Sequence, residues 1–413
     1  MKLVMLGASK AQLIGIEKAN NLGVDIVTCD YYKSSIGHQF AKEVNYVSTF
    51  DLEGVLEVAK QTKADGIMTL GTDQPVLTAA YVAQELDLFC YHSLEVARSL
   101  TNKIYMKKLF KKHNIATVDY VLYEKGVKDI DLERFNGPVV IKPVDSQGQR
   151  GIYYLENVED VADYYEKVVS FSRESQILVE SYYDHEEVTV SGWVENGHTY
   201  LLSITDRVTF KDKNQLGICL SHEFPSKFVG KYGHELQAMT LNIVDKFEIQ
   251  NGPIYFQFLI GSEGIKVNEV AARIGGAHEA SFLPLLTGFD ICETQIKQSL
   301  KMPTDLSVLK DYDFFENDQC LSVQLFFASP CEINYMPTES DIKSLPGVVE
   351  VGFHVSIGDK IESIENATAR VGFVIVLANS KEELESRLRE VYKKLVIKDK
   401  NDVNHVIHRI IGV

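Results

Sequence analysis

Apolar and polar positions along this chain fall into three successive patterns. The first is a strand running into a helix: Lys2-Leu3-Val4-Met5-Leu6-Gly7-Ala8-Ser9, then a helical stretch over about 10–22. Further apolar strands are predicted at 24–30 and 66–70, the latter followed by a helix after Thr72-Asp73-Gln74-Pro75. This βα alternation predicts a parallel sheet of four or five strands ending near Tyr91. The second pattern is a hairpin. Pro253-Ile254-Tyr255-Phe256-Gln257-Phe258-Leu259-Ile260 is rich in β-branched and aromatic residues and ends in Gly261-Ser262-Glu263-Gly264, and 265–270 returns antiparallel to it. The third pattern restarts with an apolar strand at 319–328 after the acidic stretch 311–318. Strands at 345–353 and 369–376 and an N-capped amphipathic helix over 380–394 follow.

A chain of 413 residues exceeds what one core organises. Three domains are expected, at 1–95, 96–310 (with a lid subdomain at about 115–185) and 311–413. With 24% charged and 45% hydrophobic residues, the composition is that of a soluble enzyme. No apolar run is long enough to span a bilayer, so no membrane partner is expected. The first strand is too short for a signal-peptide core, which makes the expected location cytoplasmic. A net charge of −16, from 42 basic and 58 acidic side chains, argues against a nucleic-acid partner. Lys107-Lys108 and Lys111-Lys112 recur at helical spacing and read as a solvated helix face. The six cysteines, at 29, 90, 219, 292, 320 and 331, form no Cys-x-x-Cys and read as free thiols.

Candidate chemistry begins at the hairpin. Gln257 and Glu269, each near the middle of its strand, point from one face toward a shared cation. Magnesium suits such a pair, because it takes hard oxygen donors, few of them from protein. The plainer alternative pairs Glu269 with Arg273 four residues on. Upstream, Lys142 ends the buried-looking run 138–143 and precedes a loop, 144–151, that contains Gly148 and Gly151. A lysine at the mouth of a glycine loop suits phosphate, since backbone N–H groups approach an anion closely where no Cβ intervenes. The spacing is not that of a P-loop. After the first strand the glycines are Gly7 and Gly15, so NAD binding is not expected either.

Taken in order, Lys103, Lys142, the glycine loop, Glu180, Glu187, Gln257, Glu269 and Arg273 resemble the ATP-grasp superfamily of ligases over nearly the whole chain. The resemblance is to its biotin-carboxylase-like and carbamoyl-phosphate-synthetase-like members, including purine-pathway ligases and L-amino acid ligases. It implies a fold of α/β and α+β class: a Rossmann-like preliminary domain, an ATP-grasp domain of two α+β subdomains and a small β-rich C-terminal domain. It also implies ATP and Mg2+, with Mn2+ as the alternative ion. Lys103 and Lys142 would reach the α- and β-phosphates, under a lid loop that includes Ser146, Gly148 and Gly151. Glu180 would face the adenine amino group, with backbone near Tyr182 and Tyr183 at the ring edge, and Glu187 would hold the ribose. Gln257 and Glu269 would be the metal ligands, and Arg273 would hold the acyl phosphate or its tetrahedral successor. One departure is Ala271, which stands where the pattern Glu-x-Asn-x-Arg offers a third oxygen ligand.

Substrate contacts are expected from Ser9 and Asp73 of the first domain, from Gly275 and Gly276, and from Arg207 and His222, each near the end of a strand. For Arg207 the structural alternative is an ion pair with Asp206 or Asp212. For Ser9 and Asp73 it is helix capping, and for His222 and His278 a hydrogen-bonded structural histidine. The implied reaction is ATP-dependent activation of a small-molecule carboxylate as an acyl phosphate, followed by attack of an amine. Amino-acid or peptide substrates are favoured. A purine-pathway ligase, such as one making phosphoribosylglycinamide, would need basic residues on the first domain to hold a ribose phosphate, and the loop after the first strand supplies only Lys10. A non-catalytic ATP-binding regulator is the remaining alternative, suggested by Ala271, and a homodimer is the protein partner left open.

Overall fold

The computed structural model describes residues 1–127 and 130–407. At the start of the chain the strand Lys2–Leu6 hands over to the helix Lys10–Asn21 at Ser9. The Ser9 hydroxyl accepts the Ala11 N–H at 3.3 Å, while Gln12 Oε1 receives the Ser9 N–H and hydroxyl. Parallel strands lie in the order Glu43–Asn45, Asp25–Cys29, Lys2–Leu6, Gly66–Thr69, as the alternation predicts. Their carboxyl ends, carrying Gly7, Asp30 and Asp73, face the rest of the molecule.

A second sheet runs in the order Tyr120–Tyr123, Ile177–Ser181, Val139–Pro143, Tyr153–Leu155 and is antiparallel throughout. It lies within the stretch read as the lid. Val140 is paired with Glu180 and Lys142 with Leu178, so Lys142 and Glu180 lie two positions apart along neighbouring strands. Before this sheet, Asn102 caps the helix Lys103–Lys112 by accepting the Ile104 N–H at 2.9 Å. Helical spacing then places Lys103 and Lys107 one turn apart on the same side.

The large sheet runs Gly264–Ala271, Gly252–Gly261, His185–Glu195, His198–Thr209, Cys219–Phe224, Cys320–Ala328, Gly372–Ala378, Val348–Phe353. The predicted hairpin forms, and Gln257 stands directly opposite Glu269. Along Gly252–Gly261 alternate residues do different jobs. Phe256 and Phe258 enter a core with Leu236 and Ile243 of the helix Val229–Lys246, while Tyr255, Gln257 and Leu259 face the central cavity. The partner strand carries a bulge. Gln257 pairs with Glu269 but Phe258 pairs with Val267, which leaves Asn268 as the extra residue.

The region after 311 forms one small sheet of its own, Cys331–Glu332 with Lys360–Ile361, but its long strands join the central sheet. Cys320–Ala328 pairs antiparallel with Cys219–Phe224, with Ser221 opposite Gln324 and His222 opposite Val323, and so extends the central sheet. The acidic stretch before it is packed, with Phe314 buried and the Tyr312 hydroxyl donating to Leu202 O at 2.7 Å. The predicted helix forms as Lys381–Lys394 with Ser380 as its cap. No helix among the described residues is long and apolar enough to cross a membrane.

Candidate active site

One cavity of about 540 Å³ lies where the three regions meet, and most of the residues singled out from the sequence line it. Lys103, Lys142, Ser146, Gly148, Glu180, Tyr182, Tyr183, Glu187, Gln257, Glu269 and Arg273 all do, and so do Ser9, Asp73, Arg207, His222 and Gly276. Gly151 and Gly275 are not among its lining residues. A Cβ on Gly151 would meet Phe171 at 2.7 Å and Pro143 at 2.9 Å, and one on Gly275 would run into the Glu279 carboxyl, so both glycines answer to packing behind the wall.

Charge at the centre is paired. Lys103 Nζ lies 3.3 Å from Glu269 Oε1 and donates to Ser146 O at 3.2 Å. Glu269 therefore pairs with Lys103, not with Arg273. The Arg273 guanidinium instead forks onto Asp73, from Nε at 2.7 Å and Nη2 at 2.6 Å, and lies 4.8 Å over the Tyr255 ring. Asp73 and Arg273 are 200 residues apart, and their pairing shows how the first region closes the site. The glycine loop is fastened beside them, with Gln147 Oε1 accepting the Asp73 N–H at 2.8 Å.

Glu180 lines the cavity with its carboxylate in ion pairs. Its oxygens are taken by Lys107 at 2.6 Å and Lys142 at 2.5 Å, which leaves neither directed solely at an adenine amino group. Burial pushes its carboxyl up, but the two ammonium groups outweigh this and hold it down at about 2. Lys107 was read as part of a solvated helix face, yet it is 1% exposed and its Nζ also donates to Thr117 Oγ1 at 2.6 Å. Lys108, its neighbour, follows the surface pattern. Periodicity alone could not separate them, because the buried acid that claims Lys107 comes from a strand over 70 residues later.

The expected backbone contacts near the tyrosines are partly engaged already. Tyr182 N–H donates to Pro138 O at 2.9 Å, and the Tyr183 carbonyl is bonded to His185 Nδ1. Arg207 pairs with neither Asp206 nor Asp212. Its Nη1 meets Glu187 Oε2 at 2.5 Å and its Nη2 donates to Gly217 O at 2.8 Å, while Asp206 accepts from Ser226 Oγ at 2.5 Å. His222 Nδ1 lies 3.2 Å from Thr205 Oγ1 and 3.3 Å from Thr189 Oγ1. Burial, then Arg207 and Arg370, lowers its pKa to about 3, so the ring is neutral at pH 7. His278 stacks on Phe373 with ring centroids 3.5 Å apart, and burial holds it neutral too. Ser9 caps its helix and also lines the cavity.

Two further lining residues escaped the sequence reading. Asn268, turned in by the bulge, accepts from Lys142 Nζ at 3.3 Å and brings an amide oxygen beside Glu269, near the place that Ala271 leaves without one. Arg370, from the C-terminal region, has a buried Nε with no hydrogen-bond partner.

The donor set suits a nucleoside triphosphate and one hard cation. Ser146 Oγ is buried, unpartnered and at the cavity wall. Three cations, Lys103, Lys142 and Arg273, surround two facing oxygen donors, Gln257 and Glu269. Among the described residues no group of three His, Cys, Asp or Glu side chains could hold a metal alone. Magnesium asks for fewer, since it keeps phosphate oxygens and waters.

A parallel-sheet first domain, a lid sheet and a large antiparallel sheet around such a cavity define the ATP-grasp architecture. Residues 135–281 match the family profile of the ATP-grasp domain, and residues 325–399 that of L-amino acid ligase C-terminal domain 2. Phosphoribosylamine–glycine ligase of Methanococcus vannielii is 24% identical over 321 residues, covering 71% of this chain and 72% of that protein. Dapdiamide A synthase of Enterobacter agglomerans is 20% identical over 331 residues, covering 78% and 77%. The crystal structure of L-amino acid ligase from Bacillus licheniformis superposes with a TM-score of 0.79 at 17% identity over 99% of each chain. The chain thus carries an ATP-grasp domain followed by an L-amino acid ligase C-terminal domain, the findings that tie it to the ATP-grasp superfamily. Within it, its class is that of the ADP-forming, ATP-dependent carboxylate–amine ligases.

Proposed function

We propose that this ligase activates the carboxylate of one amino acid with Mg-ATP and joins it to the amine of another amino acid or peptide. A carboxylate oxygen attacks the γ-phosphorus and ADP leaves with the former bridging oxygen. The amine nitrogen then attacks the acyl carbon, the C–O bond to phosphate breaks, inorganic phosphate leaves and the nitrogen loses one proton. The observation that carries this reading is the convergence of Lys103, Lys142, Arg273, Gln257 and Glu269 on one cavity that Asp73 helps to close.

Lys103 and Lys142 neutralise the triphosphate, with the backbone and Ser146 hydroxyl of the glycine loop wrapped around it. Gln257 and Glu269 would hold Mg2+, with the Asn268 amide oxygen on the same cavity wall as a further candidate donor. The bound ion would supply neutralisation of the charge that builds on the transferred phosphoryl group. Arg273, fixed by Asp73 and stacked on Tyr255, presents its fork to the oxyanion of the tetrahedral intermediate. Closure of the glycine loop against the first region keeps water from the acyl phosphate.

The L-amino acid ligase profile at 325–399 supports amino-acid substrates. A second reading, in which a phosphoribosylamine-like amine is the acceptor, draws on the 24% likeness to the Methanococcus vannielii enzyme. Phosphate release from Mg-ATP, measured with pools of amino acids, dipeptides and glycine plus phosphoribosylamine, separates the two. Release that requires two amino acids supports the first reading, release with the sugar-phosphate amine alone supports the second, and no release from any pool overturns both.

A further inference from the structure

The arginines of this cavity are not equivalent. Arg207 is answered by Glu187 and Arg273 by Asp73. Around Arg370 the influential groups are Cys219, Arg207 and Tyr255, and no carboxylate stands among them. Its Nε is buried without a hydrogen-bond partner. The imidazoles of His222, His278 and His354 also feel its charge, and all three are held neutral, chiefly by burial. A half-buried guanidinium whose Nε is withdrawn from water, at a cavity wall with no carboxylate paired to it among the described residues, is an unfavourable arrangement that an incoming anion relieves.

The placement of Arg370 narrows the choice of anion. It lies on the turn after Ala367–Ala369, and Ala367 N–H donates to Gly148 O at 3.2 Å, so the turn is fastened to the glycine loop. Tyr255 lines the same cavity as both arginines, with Arg273 stacked over its ring. Arg273 serves the reacting carboxyl in the reading above, so a second guanidinium in that cavity suits a second anionic group that does not react.

We propose that Arg370 binds the free carboxylate of the acceptor, which makes the second substrate an amine that itself carries a carboxylate, such as an α-amino acid. This rests on the ligase reading and adds a specificity residue from the C-terminal region. The planar fork offers a carboxylate two parallel N–H···O bonds, which a lysine ammonium does not reproduce.

The test uses the full-length enzyme with Mg-ATP, the best donor found in the pool assay, and acceptors offered as the free acid and as the amide. The wild type should prefer the free acid. Arg370→Met should raise the acceptor KM about 10–100-fold for the acid and hardly at all for the amide, erasing the preference, with the KM for ATP within about twofold of wild type. Arg370→Lys should restore only part of the preference. Thermal melting of each variant checks folding, and Arg370→Gln serves as a second neutral variant if the methionine protein is unstable. An unchanged acid-to-amide ratio overturns the proposal, and so does a rise confined to the KM for ATP, which would assign Arg370 to a phosphate. A wild type that turns over only with amines lacking a carboxylate also overturns it while leaving the ligase reading intact. A wild type silent with every acceptor overturns the ligase reading itself.

Discussion

Two parts of the cavity wall handle positive charge differently. Around the proposed phosphate site every basic group discussed has an acidic partner in place: Lys103 has Glu269, Lys107 and Lys142 share Glu180, and Arg273 holds Asp73. Elsewhere on the wall Arg207 is similarly matched to Glu187, but among the described residues no carboxylate is paired with Arg370. Pre-paired cations are held in position before any ligand arrives and cost little to bury, which suits a site that must neutralise a transition state without reorganising. An unpaired one is a vacancy for a charged group of the substrate and therefore confers selectivity. Glu279 is the reverse case, an acid buried behind Gly275 without an ion-pair partner. It is satisfied instead by the Gly275 N–H at 2.6 Å and the Ser191 hydroxyl.

The strongest challenge to this comparison is Glu269→Ala. If Glu269 serves both Lys103 and the cation, kcat should fall on the order of 10²–10³-fold while the fold persists. Unchanged turnover would show that the paired groups are structural only. Next comes Lys107→Met, which removes one of two cations from a buried carboxylate. A loss of about 3 kcal/mol in chemical unfolding is expected, with Glu180 titrating well above its wild-type value of about 2. A neutral effect on stability would mean that Lys142 alone suffices.

Glu279 gives a smaller, pH-dependent effect. Burial raises its carboxyl from 4.5 to about 7, against the pull of Ser191, Gly275 and Arg273. The folded state therefore binds a proton more tightly than the unfolded chain. The resulting stability is fully present below about pH 4.5 and is lost as pH rises through 7, a change of about 2 kcal/mol between pH 5 and 8. The melting temperature of wild type should fall over that range more steeply than that of Glu279→Gln. Parallel profiles for the two proteins would rule this out.

Much of the site was legible because it depends on local patterns. The hairpin fixed Gln257 opposite Glu269 through strand alternation and a glycine turn, and the run 138–143 placed Lys142 at the mouth of its loop. What escaped depends on long-range or irregular geometry. Helical periodicity gives the side of Lys107 relative to its own helix, but whether that side faces water depends on Glu180, supplied by another element. A bulge of one residue turned Asn268 into the cavity, and no strand pattern announces it. Arg370 fell inside the run 369–376 read as a strand, but the strand begins at Gly372 and Arg370 sits on the turn after Ala367–Ala369, where its surroundings come from distant parts of the chain. The region after 311 was separable by composition, yet backbone pairing between 219–224 and 320–328 continues the sheet through it.

Gln147 offers the mildest and most selective probe. Its Oε1 accepts the Asp73 N–H at 2.8 Å, beside the Arg273 fork, and so ties the glycine loop to the first region at the proposed phosphate site. One hydrogen bond of this kind contributes about 1 kcal/mol, so Gln147→Ala should raise the KM for ATP about fivefold. The acceptor KM should stay as it is, since Arg370 and its turn are anchored through Gly148 O, which the substitution leaves untouched. Arg370→Met predicts the opposite split, and the two variants together ask whether the two parts of the cavity act separately. If either variant moves both constants alike, the loop joining them through Gln147 and Gly148 closes as one unit, and the contrast between paired and unpaired cations does not carry over to substrate binding.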